Sequence, residues 1–175
     1  MEGKVGEMGE PRLRFFTLGG TIAMAPAKDS AGGVTPRHDA EDLLGAVPDL
    51  ARIGRIEAVT LRRVPSANLT LRDALQLTDE IIRAAEEGVD GVFVSQGTDT
   101  LEEMAFLLHC LLGRPPVPVV LTGAMRPPSA AGADGPANLL TAARAAATPA
   151  CRDLGVMVAM NERLYDALHV AKRHT

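Results

Sequence analysis

Residues 91–112 read GVFVSQGTDTLEEMAFLLHCLL, and this stretch sets the architecture. Gly91 to Ser95 is a short apolar run closed by polar residues, the pattern of a strand buried on both faces. At Thr100 the pattern changes. Thr100 with Glu103 three residues later has the form of a capping box, and the apolar residues through Leu112 continue it as a helix. The run Met104 to Leu112, interrupted by His109, is too short to cross a bilayer and reads as a buried helix. Strand, polar loop and helix in succession make one half of a βαβ unit.

The same alternation extends in both directions. Leu13 to Leu18 reads as a buried strand ending at Gly19-Gly20, and Asp39 to Val47 as a short helix stopped near Pro48. Ile56 to Val64 is a second strand. Thr70 then caps a longer helix in which Leu71, Ala74, Leu75, Thr78, Ile81, Ile82 and Ala85 recur at helical spacing, with Gly88 placed to end it. Val117 to Thr122 is a strand, Asn138 to Ala147 an Ala-rich helix, and Gly155 to Met160 another strand. The expected fold is therefore α/β, a doubly wound and mostly parallel sheet flanked by helices. Two stretches fall outside it. Residues 1–12 are expected to be a disordered tail before a domain at 13–175, and the polar, Gly-rich segment Ala25 to Thr35 a mobile loop holding Lys28, Asp29, Ser30, Gly32 and Gly33.

Composition narrows the function. With 175 residues, 46% of them hydrophobic, the chain can bury one good core. Its net charge of −4 is spread over interspersed acids and bases, which argues against nucleic-acid binding. No segment has the length and apolarity of a membrane span. The amino terminus lacks an apolar signal stretch, and Cys110 and Cys151 have neither metal-site nor disulfide-framework spacing, so a cytoplasmic setting is expected. His38, His109, His169 and His174 show no ligand-like spacing, and His109 on an apolar helix reads as a satisfied core histidine. Met104, Met125, Met157 and Met160 read as fillers of core gaps.

In a sheet of this kind, ligands bind beyond the carboxyl ends of the strands. The loops there hold Gly19-Gly20-Thr21, Pro65-Ser66-Ala67-Asn68, Gln96-Gly97-Thr98-Asp99 and Gly123 to Pro127. A threonine hydroxyl is a weak nucleophile until a base takes its proton. Lys172 is a candidate base, with Asp99 orienting it or binding a substrate ammonium. Each signal taken singly has a plainer explanation. Gly-Gly-Thr after a strand is also a common tight turn, and Thr98-Asp99 can equally cap a helix N-terminus. Neither a phosphate-binding Gly-Lys-Ser/Thr nor a dinucleotide Gly-x-Gly-x-x-Gly pattern follows the first strand.

Taken together and in order, the motifs resemble a known family. Thr17-Leu-Gly-Gly-Thr-Ile-Ala23 is similar to the first signature of the bacterial type I/II asparaginase (asparaginase/glutaminase) family, and Gln96-Gly-Thr-Asp-Thr-Leu-Glu-Glu103 to the second. Leu121 to Pro127 and Ala133 to Leu139 also look like family segments, so the resemblance covers residues 13 to 175. It implies the flavodoxin-like amino-terminal domain of such an enzyme, an amidohydrolase that converts L-asparagine to L-aspartate and ammonia without metal or organic cofactor. The resemblance assigns Thr21 as nucleophile, Thr98, Asp99 and Lys172 as a second catalytic cluster, and Ser66, Gly97, Thr98 and Asp99 as substrate-binding. It further implies a homo-oligomer, dimer or tetramer, whose sites are completed by a neighbouring subunit, and a smaller carboxy-terminal domain that this sequence lacks.

Two departures accompany it. Gly33 stands where the family commonly has a loop tyrosine, and Ala67 where glutamine is frequent. Glutamine remains a possible second substrate, because one methylene contributes only about 1–3 kcal/mol of discrimination. Two other readings stay open: an amidotransferase-type subunit that releases ammonia to another site, and a non-catalytic amino-acid-binding fragment.

Overall fold

The computed structural model describes residues 9–26, 34–36 and 38–174. Strand β1 (Arg12–Gly19) is followed by a short antiparallel hairpin, β2 (Met24–Pro26) with β3 (Val34–Pro36). Helix α1 (Ala40–Gly45), strand β4 (Arg55–Val64), helix α2 (Leu71–Glu86) and strand β5 (Gly91–Ser95) come next. Helix α3 (Leu101–Leu112), strand β6 (Val119–Thr122), helix α4 (Gly135–Ala146), strand β7 (Val156–Met160) and strand β8 (Arg163–Asp166) complete the order.

Six strands form one sheet in the order β4-β1-β5-β6-β7-β8. The first five are parallel, and β8 returns antiparallel to β7 through a turn at Asn161 and Glu162, both at positive φ. That is the geometry of a two-residue hairpin, but Glu162 is not a residue that announces it. Because the chain lays β4 on one side of β1 and β5 on the other, the winding direction reverses between β1 and β5. This crevice is where an open α/β sheet binds ligands.

Helices α1 and α4 cover one face and α2 and α3 the other, so the sheet is doubly wound as expected. Alternate residues of each strand feed alternate cores. Leu13, Phe15, Phe93, Val120 and Met157 pack toward Leu43, Leu139, Ala142 and Ala146, while Phe16, Leu18, Val94 and Leu121 pack toward Leu77, Ile81, Met104 and Leu108. Phe15 and Phe93 stack across β1 and β5 with centroids 4.6 Å apart, fixing the two strands that flank the crevice. The alanines of α4 let it lie close to the sheet: a Cβ on Gly91 would come within 2.0 Å of the Ala146 carbonyl oxygen.

Several expectations are corrected. Arg12 belongs to β1 rather than to the tail: its N–H donates to Asp90 Oδ2 (2.8 Å), and its carbonyl accepts from the Asp90 amide. The ends of the expected loop Ala25 to Thr35 pair as β2 and β3, while Lys28, Asp29, Ser30, Gly32 and Gly33 lie outside the described residues. In α2 the buried face is Ala74, Leu77, Thr78, Ile81 and Ala84, whereas Leu71, Leu75 and Ile82 are exposed along its flank. The small residues at 74 and 84 let that face approach the sheet and turn the bulky stripe aside. Helix α3 is likewise buried on one side only, with Phe106 and Leu111 exposed. His109 has no partner for its buried Nδ1 among the described residues, and it closes on Gly155, where a Cβ would meet its ring at 3.0 Å.

Candidate active site

Thr21 opens a 3₁₀ turn, Thr21–Ala23, directly beyond β1. Gly19 and Gly20 have φ of +100° and +82°, a region that side chains avoid, and they reverse the chain sharply enough to carry Thr21 over the sheet's end. The Gly20 amide donates to Val64 O (3.2 Å), tying the turn to the end of β4. A Cβ on Gly20 would fall 2.0 Å from the Gly97 nitrogen. The backbones bearing Thr21 and Thr98 are therefore pressed together across the switch point.

Thr98 begins a 3₁₀ turn, Thr98–Thr100, between β5 and α3. The expected capping box at Thr100 and Glu103 does not form. Instead the Thr100 hydroxyl donates to Ser66 O (3.0 Å), and the Asp99 amide donates to Ser66 Oγ (3.2 Å). These contacts attach the turn to the loop after β4, and that long-range attachment outcompetes the local cap. Ser66 is 2% exposed and lies beneath the turn. Gly97 sits against it, where a Cβ would meet Ser66 Oγ at 2.7 Å. Gly123 closes the other side, for a Cβ there would approach Gln96 O at 2.7 Å and Thr98 Cγ2 at 2.9 Å.

Lys172 arrives from the far end of the chain. Its Nζ donates to Thr98 Oγ1 (3.0 Å) and to Asp99 Oδ1 (2.6 Å), and its backbone N–H donates to the Glu102 carboxylate. The Asp99 side chain is 70% exposed, which leaves the carboxylate open to a ligand as well as to the lysine. Thr98, Glu102 and Lys172 line a cleft of about 440 Å³ together with Met125, Met160 and Tyr165. Of the residues singled out in the sequence, Thr98, Asp99 and Lys172 are joined directly, Ser66 and Gly97 support them from below, and Thr21 stands beside them through Gly20.

Three residues escaped the sequence reading. Glu102 was hidden among the acids of a helix's first turn. Asp134 accepts the amides of Met125 (3.0 Å) and Arg126 (2.9 Å), which shapes the loop after β6. Burial opposes its charge, but these two amides and the Asn138 side chain outweigh that and hold its carboxyl below the ordinary 3.8. Asn138, fully buried, donates to Gly123 O (2.9 Å) and Asp134 Oδ2 (3.0 Å) and accepts from the Asn161 amide (2.9 Å). The signals of these three in the sequence were their places in the quoted segments, Glu102 within Gln96 to Glu103 and Asp134 and Asn138 within Ala133 to Leu139, and the Asp134–Asn138 spacing of one helical turn. Among the described residues no group of three His, Cys, Asp or Glu is arranged to hold a metal, and no helix is long and apolar enough to cross a membrane.

A family model described as "Asparaginase, N-terminal" matches residues 12–175. L-asparaginase 2 of Bacillus subtilis is 37% identical over 171 residues, covering 94% of this chain and 44% of that protein. A glutaminase-asparaginase of Acinetobacter glutaminasificans is 36% identical, covering 90% and 48%. The crystal structure of a probable cytoplasmic L-asparaginase from Campylobacter jejuni aligns with a TM-score of 0.81 at 33% identity, covering 94% of this chain and 49% of that one. The chain thus spans about half the length of these relatives. With its sheet, its switch-point crevice and its matched residues in agreement, the chain belongs to the asparaginase family and corresponds to the family's amino-terminal domain.

Proposed function

We propose that the full-length protein hydrolyses the side-chain amide of L-asparagine to L-aspartate and ammonia. The observation that carries this reading is the amine of Lys172 held between Thr98 Oγ1 and Asp99 Oδ1 at the switch point, with the Thr21 turn packed beside it. The names of the relatives, L-asparaginase and glutaminase-asparaginase, support the same substrates, glutamine being the second.

In this reading the Thr21 oxygen attacks the amide carbon, and its proton leaves with the departing nitrogen as ammonia. An ester to Thr21 remains, and water attacks it to release aspartate and restore the hydroxyl. Lys172, hydrogen-bonded to the Thr98 hydroxyl, works with it in relaying the proton between the attacking oxygen and the departing nitrogen. Asp99, exposed on its outer side, receives the substrate's α-ammonium. Ser66 accepts the Asp99 amide and keeps its own hydroxyl proton to donate to the α-carboxylate. Backbone N–H groups beside Thr98 face the developing oxyanion. No metal or organic cofactor enters any step.

The protein acts in this reading as a cytoplasmic homo-oligomer, dimer or tetramer. The location named for the Campylobacter jejuni relative and the exposed apolar side chains of Leu71, Leu75, Phe106 and Leu111 support it. Ammonia release from asparagine by the full-length protein, compared with Thr21→Ala and Thr98→Ala, tests the function. Loss of about 10²-fold or more in kcat is expected in each variant; undiminished release by Thr21→Ala would remove the nucleophile and the mechanism with it.

A further inference from the structure

We propose that Glu102 is the positioning residue that holds Lys172 against Thr98; this rests on the reading of Thr98 and Lys172 as the proton-handling pair. Lys172 lies in a stretch without regular secondary structure beyond β8. The stretch is pinned at its start, where the Ala167 amide donates to Val156 O and the Leu168 and Val170 amides donate to Asp166. Beyond Val170, the hydrogen bonds that hold it among the described residues are those of Lys172 itself: its N–H to Glu102, and its Nζ to Thr98 and Asp99.

A lysine amine hangs on a flexible four-carbon stem, so its position is only as well defined as the backbone from which the stem starts. Glu102 fixes that backbone. It is the second residue of α3, and the helix grows directly out of the turn that presents Thr98 and Asp99. Residues 98–102 therefore hold Lys172 at both ends, Thr98 and Asp99 at the amine and Glu102 at the main chain. The bond is charge-assisted, and the carboxylate sits in the first helical turn, where the aligned peptide dipoles favour negative charge. Its neighbour Glu103 shows what an acid serving only the dipole looks like: it is exposed and makes no side-chain hydrogen bond among the described residues.

The test has a readout independent of turnover. Lysines stand at positions 4, 28 and 172 of the sequence, so competitive acetylation of the full-length protein, read by mass spectrometry, reports Lys172 against Lys4 and Lys28. Glu102→Ala is expected to raise Lys172 labelling severalfold and to lower kcat for asparagine about tenfold to hundredfold with KM little changed. Glu102→Gln, which keeps an oxygen to accept the Lys172 N–H, returns both toward the unsubstituted protein. Unchanged labelling in Glu102→Ala, raised labelling without a fall in kcat, or a Glu102→Gln as defective as Glu102→Ala would each overturn the proposal. Absence of ammonia release by the unsubstituted protein would instead remove the proposed function, while labelling still decides whether Glu102 holds the lysine.

Discussion

Lys172 Nζ lies 3.0 Å from Thr98 Oγ1, joining two residues 74 positions apart in the chain. The contact crosses from the loop after β5 to the segment after β8, so it exists only when the sheet between them is formed. It also gives the amine a second anchor, Asp99, at 2.6 Å.

Removing that amine separates chemistry from folding. Lys172→Met keeps the length of the stem and deletes the charge, so kcat for asparagine is expected to fall about 10²- to 10⁴-fold. Only half-buried and at the rim of the cleft, the side chain adds little to the core, and the thermal midpoint is expected to move by no more than a few degrees. Steady-state ammonia release and a melting curve on one preparation check both.

The glycine contact at the crevice is sterically closed. Gly20→Ala places a methyl 2.0 Å from the Gly97 nitrogen at a φ of +82°, so the two strand-end turns must separate. Left-handed strain and overpacking together are expected to cost about 2–5 kcal/mol of stability, and displacement of Thr21 from Thr98 to abolish most activity. Urea unfolding measures the first, and a variant as stable and active as the parent would contradict the packing described.

Asn138 joins three elements from inside the protein. Asn138→Ala leaves the Gly123 carbonyl and the Asn161 amide without their partner, a loss expected to cost about 2–4 kcal/mol. A fall in the urea midpoint with little change in slope would register it. Asn138→Asp keeps an acceptor for the Asn161 amide but sets a carboxylate beside Asp134, and it is expected to be no better.

Acid sensitivity has a defined origin. The carboxyls of Asp73 and Asp134 both sit below the ordinary 3.8: burial works against their charge, but Thr70 and then Arg62 at Asp73, and the Met125 and Arg126 amides at Asp134, prevail. A carboxylate whose folded pKa is depressed contributes stability that is present above its unfolded pKa and lost as pH falls through its folded one. Unfolding free energy is therefore expected to decline once pH drops below about 4. In Asp134→Asn the deficit relative to the parent should be full at neutral pH and shrink as pH falls from about 5 toward 2. A deficit constant across that range would show that the carboxylate's charge is irrelevant.

The central strands β1, β5, β6 and β7 were legible because they are buried on both faces, whereas the exposed edge strand β8 carries no such signal. Runs such as Phe93-Val94 and Val119 to Leu121 have the pattern of strands covered on both faces, and the winding rule for parallel strands leaves few topologies. Element ends were less so: α4 begins at Gly135, three residues before the expected Asn138, and Arg12 is drawn into β1 through its contacts with Asp90. The Thr100 cap failed for the same reason: Ser66, supplied by another loop, took its hydroxyl. In the site, Thr21, Thr98 and Asp99 were visible because each stands in a motif at a strand end. Lys172 stands in no such motif; residue chemistry offered it as a candidate base, and the resemblance joined it to Thr98 and Asp99.

By itself the sequence determined the alternating order of strands and helices, because hydrophobic periodicity is written residue by residue, and it determined which loops held hydroxyls and carboxylates. Tertiary structure alone decided that Gly20 meets Gly97, that Ser66 lies under the Thr98 turn, and that Glu102 rather than Glu103 reaches Lys172. Those are distances between parts of the chain brought together by packing, and local pattern does not encode them.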